Sequence, residues 1–360
     1  MADLGVDPGF WAQRTVVVTG HTGFKGAWLS LWLASMGARI IGISDEAPEA
    51  PAMFAAARVA DDLHADLRVD VRDRERVSAV IADADADVVL HLAAQPYVRR
   101  SYAEPVETYA TNVMGTAHVL DAVRHSGSVR SVVVVTSDKC YDDRGRNRPY
   151  TEDDPMGGHD PYSSSKGAAE LVTDAYRRSY FREPGTARVG SARAGNVIGG
   201  GDWGEDRLVP DIMRATLAGT PIPIRRPDAV RPWQHVLDPL DGYLMLAQAL
   251  FRDVPGADGG FNLGPAPEGA QPVRAIVDRL TGLWPEPLRW EIDDQPSPHE
   301  APFLTLDSTH ALTQLGWRPR WGLDEALDAI VEWFLAYREG GDMRAMTLAQ
   351  IARHQETTSR

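Results

Sequence analysis

Short apolar runs alternate with longer amphipathic stretches through the first half of the chain. Residues 15–19 read as a buried strand and 24–36 as the helix that follows it. Further apolar runs cover 39–43, 67–71 and 87–93, with helical spacing over 72–82. A long helix is expected over 107–125, and 131–136, almost pure valine, is expected as a fifth strand. Apolar runs without polar alternation belong to strands covered on both faces. Strand, helix and strand repeated at this spacing build a parallel sheet. After residue 182 the alternation weakens and Pro and Gly become frequent, as at Gly199, Gly200, Gly201, Pro221, Pro223 and Pro227. Helical segments remain over 208–218, 235–251, 271–284 and 324–337. The expected architecture is α/β: a parallel sheet covered by helices on both faces, with a smaller C-terminal lobe.

Bulk properties narrow the classes of partner. The chain has 360 residues and a formal net charge of −14, which disfavours nucleic acid. A few local arginines can still hold a phosphate inside an acidic protein. The single cysteine, Cys140, allows no intrachain disulfide and suits a reducing compartment. No basic segment leads into an apolar run near residue 1, and no apolar stretch approaches a membrane span. A soluble, cytoplasmic protein with no membrane partner is expected. His91 lies in a buried strand and reads as a hydrogen-bonded core residue. His118, His125 and His159 lack a ligand constellation, so no metal is expected.

The first chemical signal is the turn Thr19-Gly20-His21-Thr22-Gly23-Phe24-Lys25-Gly26. It follows a strand and opens a helix. Without side chains at Gly20, Gly23 and Gly26 the backbone can approach a pyrophosphate, whose charge meets the free N–H groups of the first helical turn. At the end of the second strand Ser44 holds the slot where a ribose-binding carboxylate is expected, and Asp45 is its substitute. An acidic side chain there favours NAD over NADP. Asp70 and Val71 are placed to meet the adenine. Ala93, Ala94 and Gln95, after the fourth strand, are placed to line the cofactor groove.

The second signal is Tyr162-Ser163-Ser164-Ser165-Lys166. Residues four apart share a helical face. A lysine beside a phenol favours phenolate, which can take the proton of a substrate hydroxyl while hydride leaves the same carbon. The fifth strand runs into Thr136-Ser137-Asp138-Lys139-Cys140-Tyr141, at the strand end where ligands bind in such sheets. Ser137 can bond a sugar hydroxyl. Asp138, buried, can protonate a leaving hydroxyl, and Lys139 can serve as a base if its amine is neutral.

With these residues in place, the chain resembles the nucleotide-sugar 4,6-dehydratase group of the extended short-chain dehydrogenases/reductases, and within it the CDP-glucose branch. The resemblance runs from about residue 10 to 340. It includes 19–28, 91–97, 109–115, 136–142, 153–166, 192–203, 231–236 and Pro298-His299-Glu300. It implies a Rossmann-type domain over 1–190 carrying NAD and the catalytic residues. A nucleotide-sugar lobe over 191–345 is interleaved with its last elements, and 346–360 forms a polar tail. It also implies an internal redox cycle that turns CDP-glucose into a 4-keto-6-deoxy sugar. Tyr162 is the base at the C4 hydroxyl, Lys166 holds the nicotinamide ribose and Asp138 is the acid at C6. Lys139 is the C5 base or an orienting group, because related dTDP-glucose enzymes place glutamate there. Asn112 joins the cofactor set. Asn196, Arg207, Arg225, Arg231 and His299 are the candidates for the sugar-nucleotide diphosphate. Trp203 and Trp233 either shape that pocket or pack in the core. A homodimer is implied, paired through helices 107–125 and 162–182; Val113, Val119, Leu120 and Val123 fit its buried face or packing on the sheet. A dehydratase for another NDP-glucose, a 4-epimerase and a non-catalytic NAD(P)-binding protein remain the alternatives.

Overall fold

Seven parallel strands form the main sheet of the computed structural model, which describes residues 5–143, 145, 148–293 and 304–357. They are β1 (Thr15–Thr19), β2 (Arg39–Ser44), β3 (Ala65–Arg68), β4 (Val88–His91), β5 (Ser131–Val135), β6 (Arg188–Arg193) and a seventh strand, Gly260–Asn262. Their spatial order is seventh, β6, β5, β4, β1, β2, β3. The order reverses between β1 and β4, and such a switch point opens a crevice beyond the carboxyl ends of the strands.

The valine-rich strands explain why both faces are covered. Val17, Val89, Val132 and Val134 enter one core, with Val77, Ile81, Val119 and Leu120. Their neighbours Val16, Val18, Val88, Leu90 and Val133 enter the other, with Trp28, Leu31, Leu240 and Leu244. This is the period-two alternation of a strand with no wet face. Each such side chain contributes about 1.5–3 kcal/mol by leaving water.

Several expectations shift. The third strand ends at Arg68, so Asp70 and Val71 lie in the turn beyond it rather than on it. The fourth ends at His91, leaving Ala93, Ala94 and Gln95 in the loop. The long helix starts at Pro105 and carries a π segment, Ala110–Met114, before Gly115–His125. Val119, Leu120 and Val123 pack under the sheet, so they are spent on the core and are not free for a partner.

Residues 346–356 are not a fraying tail. They belong to the helix Met343–Glu356, capped by Asp342, whose Oδ1 accepts the N–H groups of Arg344 and Ala345 at 3.0 and 3.1 Å. Its polar residues are bonded inward. Thr347 Oγ1 accepts from Trp333 Nε1 at 3.1 Å, and His354 Nε2 lies 3.0 Å from Asp238 Oδ1. Polarity misled the sequence reading because it cannot tell a solvated side chain from one that is buried and satisfied. Among the described residues no helix is long and apolar enough to cross a membrane.

Candidate active site

β1 delivers the chain into the glycine turn at the switch point. Gly20 has φ +73°, and a Cβ there would sit 2.7 Å from the Ala93 backbone nitrogen. A Cβ on Gly26 would overlap the Gly20 carbonyl. The turn is therefore closed tightly on the helix Phe24–Ser35. Its N-cap, Gly23, supplies no side-chain hydrogen bond. That bare helix start, walled by backbone alone, fits a diphosphate.

The turn is braced from below by His21, which the sequence reading did not single out. Its buried ring places Nε2 2.8 Å from Asp66 Oδ1 on β3. The ring fills the space that the absent Cβ of Gly42 leaves. Thr22 hydroxyl donates to the Glu46 carbonyl at 2.8 Å and lies 3.0 Å from Ser44 Oγ. Ser44 is thus buried and tied to the turn, and Asp45 is the exposed carboxylate that follows β2. Asp70 accepts the Arg72 N–H at 2.8 Å and faces its guanidinium at 2.6 Å.

The loop after β4 is fixed by two buried groups. Asn112 Oδ1 accepts from Gln95 N at 2.8 Å, and its Nδ2 donates to Gln95 O and to Ser165 Oγ at 3.1 and 2.8 Å. Gln95 Nε2 donates to Thr108 Oγ1 and Tyr97 O. Both amides are engaged with protein, so Asn112 and Gln95 position the groove and the catalytic helix by their side chains. His91 bridges Thr19 and Thr116, with Nδ1 2.7 Å and Nε2 3.1 Å from their hydroxyls. It is a core residue, as the sequence implied.

The reactive centre lies on the other side of β4. The helix Pro161–Tyr180 starts at Asp160, whose carboxylate accepts from Ser163 N and Ser163 Oγ at 2.9 and 2.6 Å. Pro161 at the first position suits that start. The first turn thereby fixes Tyr162, which is buried and anchored by its N–H to Ser101 Oγ at 3.1 Å. Ser137 donates to Asp138 Oδ1 at 2.9 Å, and its hydroxyl acts on the Tyr162 phenol. Asp138 is 2% exposed, and its Oδ2 has no partner. A Cβ at Gly195 would overlap that carboxylate, so the glycine makes its room. Lys139 is half-buried, with its N–H donating to Ser137 Oγ at 3.3 Å.

The charges differ from the sequence expectation. Burial pushes the Tyr162 phenol up to about 12, against the relief from Ser137. Burial also brings Lys166 down to about 8, opposed by Glu170. Lys166 Nζ donates to the Val135 carbonyl at 3.4 Å. The expected lowering of the phenol is therefore corrected: in the protein alone loss of hydration dominates.

Behind these groups a buried network sets the frame. Glu170 accepts from Arg193 and Ser191 at 2.8 and 2.7 Å, Arg193 donates to Tyr141 Oη at 2.7 Å, and Tyr141 donates to Asn262 at 2.6 Å. Burial disfavours the Glu170 charge, but Arg193 outweighs it and holds the carboxyl below its ordinary range.

Of the anion candidates, the structure brings Arg207 to the reactive centre. It pairs with Asp202 at 3.1 Å, lies 5.3 Å above the Tyr97 ring and acts electrostatically on Tyr162. Asn196 follows β6 in a left-handed conformation, φ +46°. Arg225 is bound to Asp206 and Asp211 at 3.1 and 3.3 Å. Arg231 sits on the short strand Val230–Pro232, donating to Val230 O at 2.9 Å. His299 lies outside the described residues. Trp203 packs against Phe334 and Tyr337, and Trp233 is buried with Nε1 donating to Gln271 O, so both serve packing.

Residues 17–330 match the GDP-mannose 4,6-dehydratase family. The chain is 47% identical over 359 residues to the CDP-glucose 4,6-dehydratase of Salmonella typhimurium, covering 99% of this chain and 100% of that one. A dTDP-glucose 4,6-dehydratase of Neisseria gonorrhoeae is 27% identical over 347 residues, 90% of this chain and 96% of the relative. The crystal structure of Thermus thermophilus UDP-glucose 4-epimerase in complex with NAD aligns with a TM-score of 0.74 at 25% identity, covering 89% of this chain and 99% of the other.

Proposed function

Because this chain belongs to the GDP-mannose 4,6-dehydratase family, we propose that it is a hydro-lyase converting CDP-D-glucose to CDP-4-dehydro-6-deoxy-D-glucose and water. The observation that carries the reading is the buried line Tyr162, Ser137, Asp138, set beside a glycine cradle. An oxidation needs the phenol, and an elimination needs the extra acid. NAD, when bound, supplies the hydride acceptor for C4 and the donor for C6. Gly20, Thr22, Gly23, Phe24 and Gly26 cradle its diphosphate through backbone, Asp45 and Asp70 reach its adenosine, and Lys166 its second ribose.

Tyr162 takes the proton of the C4 hydroxyl as phenolate, the form that a cationic nicotinamide and Lys166 would favour with the cofactor bound, and Ser137 orients that oxygen. The resulting ketone acidifies the C5 hydrogen, for whose removal Lys139 is the base or an orienting group, and a proton returns to C5 when C6 receives its hydride. Asp138 gives its proton to the departing C6 oxygen, so the group leaves as water. The order is chemically forced, because elimination without the ketone would deprotonate a barely acidic C–H. Arg207, Asn196, Arg225 and Arg231 hold the sugar-nucleotide diphosphate; guanidinium groups do this in a chain of net negative charge.

Cytidine is favoured by the 47% identical relative, whose name carries CDP-glucose. The test is incubation of the protein and NAD with CDP-, dTDP-, UDP- and GDP-glucose, following the 4-keto product by its absorbance in alkali. Turnover of dTDP-glucose alone would overturn the substrate. Deuterium placed at C4 should reappear at C6, and its loss to free cofactor would overturn the cycle.

The protein is further proposed to be a cytoplasmic homodimer. Val106, Tyr109, Met114, Leu171 and Tyr180 are large apolar residues 38–76% exposed, on the paired helical segments 105–125 and 161–180. Such a surface calls for a second copy. Cys140 is buried, and burial raises its thiol well above its ordinary value, which suits a passive packing role.

A further inference from the structure

One ionisable group at the site has no role in the chemistry above. Lys25 stands in the first turn of Phe24–Ser35, between two glycines of the cradle. Its side chain turns inward. Nζ donates to the Tyr243 hydroxyl at 3.2 Å and lies 5.8 Å from that ring's centroid. Tyr243 is fully buried on Leu237–Phe251 and interacts electrostatically with Tyr162. The charged groups facing the ammonium are Arg207 and Lys166, which oppose its charge, and Asp138 and Asp202, which favour it. Among the described residues no carboxylate lies within salt-bridge distance of it. Burial, then Arg207 and Lys166, bring its amine down to about 7. An apolar residue here would avoid holding a charge away from water beside other cations, so a lysine kept at this position calls for a purpose.

We infer that Lys25 sets the redox preference of the bound nicotinamide, disfavouring the cationic oxidised ring relative to the neutral reduced one. The cradle that holds Lys25 holds the cofactor, and the groups that feel its charge are those of the reactive centre. A ligand joining the two must lie in its field. The chemistry gives the bias a use. Oxidising a secondary alcohol with NAD is uphill near neutral pH, whereas returning hydride to a conjugated enone is strongly downhill. A cation that favours the reduced ring eases the hard step, and the easy one absorbs the cost. The inference rests on the NAD-dependent reading above.

Its test does not need turnover. Protein freed of nucleotide is titrated with NADH by fluorescence, and NAD⁺ is measured by competition, at about pH 6.5 where the amine is largely protonated. The ratio of the NAD⁺ to the NADH dissociation constant is compared for the wild type, Lys25→Met and Lys25→Arg. One charge acting over about 10 Å at an effective dielectric near 20 changes a binding constant about tenfold. The ratio should fall about tenfold in Lys25→Met and stay near wild type in Lys25→Arg. Lys25→Gln, whose amide can still bond Tyr243, replaces the methionine variant if that one fails to fold. An unchanged ratio in a neutral variant that still binds NADH would overturn the role of Lys25 alone. Failure of the wild type to bind either cofactor form would overturn the NAD-dependent reading instead.

Discussion

His91 should make this protein acid-sensitive in a defined window. Thr19 Oγ1 accepts the N–H groups of Leu92 and Ala93, both at 3.1 Å, so its own hydrogen points to His91 Nδ1. Thr116 donates to Asn112 O at 2.7 Å, so it accepts from Nε2–H. The network therefore fixes one neutral tautomer. A proton on Nδ1 would face the Thr19 hydrogen. Burial, and then Lys166, hold the imidazole down at about 3, against 6.5 for an exposed ring. The folded value is depressed, so the unfolded chain takes up the proton first. The stabilisation is fully present above 6.5 and is lost as pH falls toward 3. At 1.36 kcal/mol per unit the whole window amounts to about 5 kcal/mol, and about 2 kcal/mol is gone by pH 5. Urea unfolding at pH 7, 6 and 5, at fixed protein concentration, measures it. His91→Leu should start about 1–3 kcal/mol less stable at pH 7, because the buried Thr19 hydroxyl loses its acceptor. Its deficit should then close as the wild type loses stability. Parallel curves for the two proteins would refute the reasoning. The same acid window should weaken NADH binding, because Thr19 holds the backbone of Leu92 and Ala93 at the edge of the cradle.

Asp138→Asn should slow elimination by about 10²–10⁴-fold while sparing C4 oxidation, so reduced cofactor should accumulate on addition of CDP-glucose; equal loss of both steps would remove Asp138 as a dedicated acid. Gly26→Ala, whose methyl would overlap the Gly20 carbonyl, should abolish measurable NADH binding, while Gly127→Ala, with nothing within 4 Å, should bind as the wild type does. Arg207→Met should raise KM for the sugar nucleotide by about ten- to a hundredfold, the worth of a charged hydrogen bond, with a smaller change in kcat. Leu171→Asp, placing charge at a 61% exposed apolar position, should shift the protein to a monomer in sedimentation without lowering the unfolding free energy of the protomer by more than about 0.5 kcal/mol.

The parallel sheet was legible because β1, β4 and β5 carry three or four apolar residues in a row, which fit a strand covered on both faces. The ends of β3 and β4 were not, since a buried residue just past a strand has the same composition as one within it. The turn and the Tyr162–Lys166 pair could be named because their spacing has a geometric meaning along one chain. His21 could not. Its importance depends on Gly42 and Asp66, which are brought beneath it only by the pairing of β1 with β2 and β2 with β3. The inward turn of Lys25 is equally hidden, because Tyr243 is 218 residues away in sequence. The amphipathic reading of residues 119–123 found a buried face that fitted either a second protomer or the sheet, and the fold gives it to the sheet. The residues left for a second protomer are those that the sheet does not use.

Sequence names the ionisable groups; the fold decides which of them carry charge. Lys25, Lys166 and Arg207 act on one centre with Asp138 and Asp202; Lys166 and the two carboxylates are buried, and Lys25 and Arg207 are half-buried. Three cations against two carboxylates leave one positive charge when all are ionised. Glu170, itself paired with Arg193, favours the Lys166 charge, and the two lysines relieve the rest in part by shifting toward neutrality. A diphosphate entering the pocket removes the reason for the shift, so binding should draw protons onto the lysines above about pH 7. Local polarity thus runs opposite to the net charge of −14. The acidic surface says nothing about the ligand, because it is screened within a Debye length, about 8 Å at physiological salt, while the partly buried cations of the site are screened much less from whatever enters.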